Sequence, residues 1–241
     1  TPSAAPAPRP TDVRIGVARD SAFAFYYPGD LEAMNAAGAE LVYFNAMRDT
    51  ALPDVDGLFI GGGFPETHIA ALEANPSLRA DIRKAIENGL PTYAECGGLM
   101  YLARQIEWQG SRGKMVGAIA ADIVVGDKPR GHGLVRLRET GTAPWPRISD
   151  NDPPGEICAH EFHYSDVRHL DGDTVFAYQM ARGYGTDGRH DGIVYKNLLA
   201  GFAHLRDTGS HHWAARFVDF VRRCKRQGTY RGPTLATGDR P

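Results

Sequence analysis

Cys96 stands at the end of a short run, Pro91-Thr92-Tyr93-Ala94-Glu95, and is followed at once by Gly97 and Gly98 and by Leu99-Met100-Tyr101-Leu102. This order reads as a buried strand, a sharp turn and the start of an apolar helix. A nucleophile on such a turn is thrust out at the carboxyl edge of a sheet. The helix start behind it offers backbone N–H groups and a positive dipole end, which favour a thiolate and a developing oxyanion. Small residues at 94, 97 and 98 permit the close backbone approach the turn needs. The plain alternative is a buried cysteine beside a glycine turn. A second signal is Gly61-Gly62-Gly63-Phe64-Pro65-Glu66, directly after the apolar run Asp56 to Ile60. Successive glycines at a strand end free the backbone to turn N–H groups toward a ligand. The spacing fits neither the phosphate loop nor the dinucleotide fingerprint. His204 lies alone in the apolar stretch Leu198 to Leu205, either as a packed core histidine or as an imidazole at a strand end. Cysteine elbow, later histidine and glycine loop together suggest acyl transfer. A thiolate would attack a carbonyl and imidazole would carry protons to the leaving amine. The N–H of Gly97 with that of Gly62 or Gly63 would hold the oxyanion.

His160-Glu161-Phe162-His163-Tyr164-Ser165 is close to the zinc motif H-E-x-x-H, but its second histidine comes one residue early. That motif needs two histidines a helical turn apart, whereas Phe162 and Tyr164 suit a strand. The expectation is therefore no metal, and a polar segment lining a substrate pocket. The aromatic stretch Asp20 to Gly29, with Phe25, Tyr26 and Tyr27, falls just past the first strand, where doubly wound sheets place their ligands. A packed aromatic cluster is the other reading.

These residues need a scaffold. Val13 to Ala18, Leu41 to Phe44 and Asp56 to Ile60 read as buried strands, with a helix from Asp30 to Ala37 between the first two. Helical segments at Thr67–Ala74 and Ser77–Asn88 precede the Cys96 strand. Alternating strands and helices with short links indicate an open, mostly parallel α/β sheet with helices on both faces. From Lys114 the pattern changes: Met115–Val125, His132–Leu137, Asp173–Gln179 and Gly192–Lys196 are strand candidates without long helices between them. This half reads as an extension of the sheet. Trp213 to Arg226 is an amphipathic helix with Trp213, Phe217, Phe220, Val221 and Cys224 as its apolar stripe. Its arginines and lysine are expected on the solvated face.

Composition narrows the class. The 241 residues are 42% hydrophobic and 23% charged, with net charge −2, an ordinary globular balance that gives no nucleic-acid footprint. Three cysteines without C-x-x-C spacing argue against a disulfide scaffold and fit a reducing cytoplasm. No apolar run approaches membrane-spanning length. Residues 1–12, Pro- and Ala-rich, are expected to be a linker from a further domain upstream, 13–227 a catalytic domain, and 228–241 a disordered tail.

The chain resembles the glutamine amidotransferase domain of the cobyrinic acid a,c-diamide synthase family. Four ordered motifs carry this: Ala18-Arg19-Asp20-Ser21-Ala22-Phe23-Ala24-Phe25-Tyr26-Tyr27-Pro28, Gly61 to Glu66, Tyr93 to Leu102, and His160 to Ser165. The resemblance, covering about Val13 to Arg223, implies a class I glutamine amidotransferase-like fold, with Cys96 as nucleophile and His204 as general base. It implies Gly62, Gly63 and Gly97 around the oxyanion. Phe25, Tyr26, Tyr27, Glu66, His160, Glu161, His163 and Tyr164 would line the substrate site. It further implies glutamine as substrate, and ammonia passed to an upstream ATP-dependent synthetase domain that amidates acetate side chains of a tetrapyrrole. No phosphate loop occurs in the chain, so ATP and Mg²⁺ are expected on that upstream domain and no cofactor here. Two departures stand out. The acid that class I sites carry two residues after the histidine is Arg206 here, so the third member of the triad is open. The segment His204-Leu205-Arg206, with Gly188-Arg189-His190-Asp191-Gly192, is similar to the sirohaem-amidating branch. A catalytically silent module of the same fold and a cysteine peptidase are the alternatives.

Overall fold

The computed structural model describes residues 10–145, 156–207 and 211–230. Its frame is a nine-stranded sheet. Four strands in the order β2 (Ala39–Phe44), β1 (Val13–Ala18), β3 (Gly57–Ile60) and β4 (Thr92–Glu95) run parallel. Next to β4 lies β13 (Leu198–Gly201), also parallel to it and paired Leu198 to Thr92 and Gly201 to Glu95. Beyond β13 every pairing is antiparallel, through β12 (His190–Tyr195), β11 (Val175–Arg182), β8 (Gly131–Glu139) and β9 (Glu156–His163). The expected sheet extension is thus an antiparallel wing on a parallel half. A second, four-stranded sheet comprises β10 (Ser165–Arg168), β7 (Asp122–Val125), β5 (Gln105–Trp108) and β6 (Ser111–Lys114).

Alternation along the buried strands divides the core between two faces. Leu58 and Ile60 of β3, Ala94 of β4 and Leu198 and Ala200 of β13 pack with α3 (Pro76–Glu87) and α4 (Gly97–Leu102). Phe59, Tyr93 and Leu199, one residue out of step, pack with α1 (Pro28–Ala36) and α5 (Trp213–Gln227). Phe59 and Tyr93 stack at 5.4 Å, with Trp213 4.8 Å from Tyr93. The apolar stripe of α5 is buried as its 3.6-residue spacing predicts. Its charged face departs from expectation: Arg216 and Arg222 are buried, with Arg216 2.6 Å from Glu139 and Arg222 2.6 Å from Asp12. Asp12 is thereby pinned to the fold, and Tyr230 packs against the core. The rest of the expected linker and tail, 1–9 and 231–241, lies outside the described residues.

The expected strand Met115–Val125 is a strand only from Asp122. Its apolar first half instead caps α4: the N–H groups of Val116, Ile119 and Gly117 donate to the carbonyls of Tyr101, Leu102 and Ala103 at 2.8–3.0 Å. Those are the carbonyls a helix end leaves without partners. The segment Thr67–Ala74 is a 3₁₀ turn, Pro65–His68, followed by the short α2 (Ile69–Glu73).

Candidate active site

Cys96 sits between β4 and α4 with φ 49° and ψ −104°, a left-handed backbone for a residue with a side chain. Non-glycine residues held there are strained and cluster at functional sites. Two hydrogen bonds and two close backbone approaches enforce the turn. The Cys96 N–H donates to the Gly201 carbonyl on β13 at 2.8 Å, and the Cys96 carbonyl accepts the Met100 N–H at 3.1 Å. At Gly98 a Cβ would come within 2.1 Å of the Ile60 carbonyl oxygen, and at Gly97 within 2.9 Å of the Gly63 oxygen. Only glycine lets the elbow lie this close to β3 and the glycine loop.

His204 follows β13 by three residues, and its main chain is locked to His160 on β9. The His204 N–H donates to the His160 carbonyl at 2.7 Å, and the His160 N–H donates back at 3.2 Å. Its ring is 4% exposed and lies edge-on to Phe25 with centroids 5.1 Å apart. Gly62 makes room for it, since a Cβ there would stand 2.6 Å from the imidazole Cε1. Nδ1 faces the Glu95 carboxylate, Oε2 at 3.4 Å, an ionic contact without a well-aligned hydrogen bond. Burial penalises an imidazolium here. The polar contacts and charges of Cys96 and Glu95 outweigh that penalty and push the pKa up to about 10. The Cys96 thiol also reaches the Phe162 carbonyl, at 3.7 Å.

The loop glycines divide their roles. The Gly62 N–H is already donated to the Phe25 carbonyl at 3.2 Å, which removes it from the expected set of oxyanion donors. Gly97 is the first residue of α4, so its N–H has no acceptor within the helix. A Cβ on Gly97 would be 2.9 Å from Gly63 O and 3.0 Å from Gly63 N, so the start of α4 lies directly against the Gly63 backbone.

The aromatic and polar segments divide as well. Phe25 is 47% exposed at the His204 ring, and Tyr27 lies beside it with the Arg206 guanidinium 4.3 Å above its ring. Tyr26 does not line the site as expected: its hydroxyl donates to the Ala18 carbonyl and accepts the Gly61 N–H, tying loop to strand. On β9, alternation separates residues that the linear motif placed together. His160 and Phe162 share the more exposed face of the strand; the Phe162 carbonyl meets the Cys96 thiol, and the His160 main chain pairs with that of His204. Burial, with His204 and His132 nearby, holds the His160 pKa below the ordinary value. Glu161 and His163 turn the other way and are buried. Glu161 accepts the N–H groups of Tyr184 and Gly185 at 2.7 and 2.8 Å. His163 stacks on Phe202 at 3.9 Å. These two are corrected from substrate contacts to supports, and His160 and His163 leave β9 on opposite faces. Among the described residues no three His, Cys, Asp or Glu side chains converge as a metal site. Tyr164 packs its ring 5.6 Å from that of Phe162. Glu66 lies on the 3₁₀ turn beyond Gly63, with one carboxylate oxygen buried and unpartnered and its pKa raised by burial.

Sequence reasoning gave no role to Asp191. Its carboxylate, 1% exposed, accepts the N–H groups of Phe202 and Ala203 at 3.0 and 2.8 Å and the Thr186 hydroxyl at 2.7 Å. It thereby fixes the backbone that delivers His204. Asp191→Ala strands three donors in the interior and should cost about 2–4 kcal/mol, read as a lower urea midpoint at unchanged slope.

A family model described as a CobB/CobQ-like glutamine amidotransferase domain matches residues 14–209. The chain is 46% identical over 210 residues to the cobyrinate a,c-diamide synthase of Magnetococcus marinus, a match covering 87% of this chain and 44% of that protein. It is 40% identical over 230 residues to the cobyrinate a,c-diamide synthase of Methanosarcina barkeri, covering 90% of this chain and 44% of that one. The chain thus spans less than half the length of these curated relatives. Among solved structures it is similar to a glutamine amidotransferase (16% identity, TM-score 0.58, 86% of this chain and 98% of the other). It is also similar to PurLQS of Thermotoga maritima (17% identity, TM-score 0.60, 88% and 98%). At these identities the likeness is one of fold, and the fold is that of the class I glutamine amidotransferases. No described helix is long and apolar enough to cross a membrane.

Proposed function

The chain belongs to the CobB/CobQ-like glutamine amidotransferase domain family, and we propose that it hydrolyses glutamine through a thioester on Cys96. The observation that carries this reading is the left-handed cysteine elbow together with the buried His204, whose charged form Cys96 and Glu95 stabilise. In the reaction, the Cys96 thiolate attacks the side-chain amide carbon of glutamine. The amide oxygen becomes an oxyanion within reach of the Gly63 and Gly97 N–H groups. The His204 imidazolium gives its proton to the departing ammonia, leaving a γ-glutamyl thioester. A water molecule, deprotonated by His204, then attacks the thioester, passes through a second oxyanion and releases glutamate with the thiolate restored. The helix start at Gly97 favours negative charge on both the sulfur and the oxyanion.

The surface between Phe25, Tyr27 and the Phe162 carbonyl is where we place the glutamine. The ammonia is delivered to an ATP- and Mg²⁺-dependent synthetase domain upstream, which amidates acetate side chains of a tetrapyrrole. The relatives' printed name supports cobyrinic acid over sirohaem as that acceptor.

The test is covalent labelling with a diazo-ketone analogue of glutamine, located by peptide mass spectrometry. Label on Cys96 that glutamine suppresses, together with glutamate formation, is the expected result. Label confined to the exposed Cys158, with Cys96 intact in the full-length enzyme, overturns the proposal.

A further inference from the structure

We propose that Glu95, the residue immediately before the nucleophile, is the positioning carboxylate of the site, taking the place of the acid that is missing at position 206. The inference rests on the glutaminase reading above. Imidazole can serve Cys96 only if its remote nitrogen carries the proton and its near nitrogen is free for the thiol. A carboxylate at the remote nitrogen fixes that tautomer and stabilises the imidazolium.

The structure supplies that carboxylate from an unusual place. Glu95 Oε2 faces His204 Nδ1 at 3.4 Å, while Oε1 accepts the Tyr93 hydroxyl at 2.5 Å and the Leu205 N–H at 2.9 Å. One oxygen is therefore clamped from its own strand and from the residue next to His204, which aims the other at the ring. Both groups are nearly sealed from water, Glu95 at 3% and His204 at 4% exposure, so their attraction is weakly screened. The placement follows from register. Glu95 pairs with Gly201 across the parallel β4–β13 ladder, opposite the segment that leads to His204. Glu95 shares a sheet face with Tyr93, while the next residue, Cys96, is swung away by its left-handed backbone. Arg206, by contrast, is exposed and stacked over Tyr27, so its position does not address the imidazole.

Other charged or titratable groups bear on the pair. Cys96 and His160 flank the ring. Asp30 of α1, with its pKa pushed up to about 6 mainly by burial, accepts the Asp207 N–H at 2.9 Å. Arg206 and Tyr27 close the outer side. None of these places a carboxylate against Nδ1.

Glu95→Gln is the test variant. The glutamine oxygen can keep the Leu205 N–H, which turns its amide N–H₂ toward Nδ1 and forces the imidazole proton onto the wrong nitrogen. The expected result is a fall in kcat for glutamine hydrolysis of about 10²–10⁴-fold with KM changed little. The alkaline limb of the kcat profile should also move to lower pH. The sign follows from the charge: the carboxylate helps hold His204 protonated toward pH 10, and without it the imidazolium needed by the leaving ammonia is lost at lower pH. Glu95→Asp should recover part of the rate. A folded Glu95→Gln protein with unchanged kcat, or with reduced kcat and an unmoved limb, overturns the proposal. Should that variant fail to fold, nitrogen NMR of the histidines in the wild-type protein decides. His204 at pH 7 is expected as an imidazolium with Nδ1 protonated, and a neutral ring carrying its proton on Nε2 overturns the proposal. Failure of the underlying glutaminase reading looks different: no analogue label on Cys96 in the wild-type enzyme, whatever the state of His204.

Discussion

Cys96→Ala should lower glutamine hydrolysis by about 10⁵–10⁶-fold, equivalent to about 7–8 kcal/mol of transition-state stabilisation. The whole route depends on the thioester, and no neighbouring group can replace the sulfur: Cys158 is exposed on β9 and Cys224 is buried in α5. The variant should nevertheless fold normally. Among the described residues the Cys96 thiol's hydrogen-bonding contact is the long one to the Phe162 carbonyl, and alanine bears the same left-handed backbone cost as cysteine. A melting temperature within a few degrees of wild type, with glutamine turnover gone and amidation from free ammonia retained in the full-length enzyme, is the expected set of measurements. Cys96→Gly sharpens the point. It removes the sulfur and also relieves a residue held at φ 49°, so it should be inactive yet as stable as wild type or more so by about 1 kcal/mol. Retention of glutamine turnover by either variant would remove Cys96 from the chemistry.

Gly98→Ala carries the second large effect, and it acts through backbone alone. The added methyl would lie 2.1 Å from the Ile60 carbonyl oxygen and 2.8 Å from its carbon. Neither atom belongs to a flexible side chain, so α4 must move away from β3. An ångström of displacement at the start of α4 shifts both the thiolate and the Gly97 N–H relative to His204, and errors of that size cost about 10²-fold in rate. The same shift opens the packing of Leu99 and Tyr101, both buried. We expect a loss of about 3 kcal/mol or more in urea unfolding together with at least the 10²-fold loss in kcat. Gly29→Ala provides the control, since a Cβ there meets nothing within 4 Å and should leave activity in place.

What the sequence made legible follows from local rules. The Cys96 elbow is a strand, a turn and an apolar helix written in consecutive residues. The stripe of α5 repeats at helical spacing, and the parallel strands are continuous apolar runs. What it hid depends on pairing between distant segments. Glu95 lies in the motif that identified the elbow, yet its meeting with His204 arises only when β4 and β13 come into register, over a hundred residues apart in the chain. The motif His160 to Ser165 reads as one lining segment because a linear string does not show that alternate residues leave a strand on opposite faces. The hairpin of β5 and β6 escaped because both strands are short and polar. Its turn places Gln109 and Gly110 at φ 49° and 77°, and glutamine is a weak marker of such a turn. The run Met115 to Ile119 looked like a strand because it is apolar, but its N–H groups satisfy the end of α4 instead.

The passage from parallel to antiparallel pairing at β13 has an evolutionary corollary. Thiol and imidazole leave from neighbouring strands stitched by the Cys96 N–H to the Gly201 carbonyl, so a single ladder sets their spacing. The roof over them, bearing His160 and Phe162, hangs from the far edge of the wing through β8 and β9. Because the His160 and His204 main chains also exchange two hydrogen bonds, drift in that outer hairpin reaches the imidazole as well as the roof, so the wing and the reacting pair must change together.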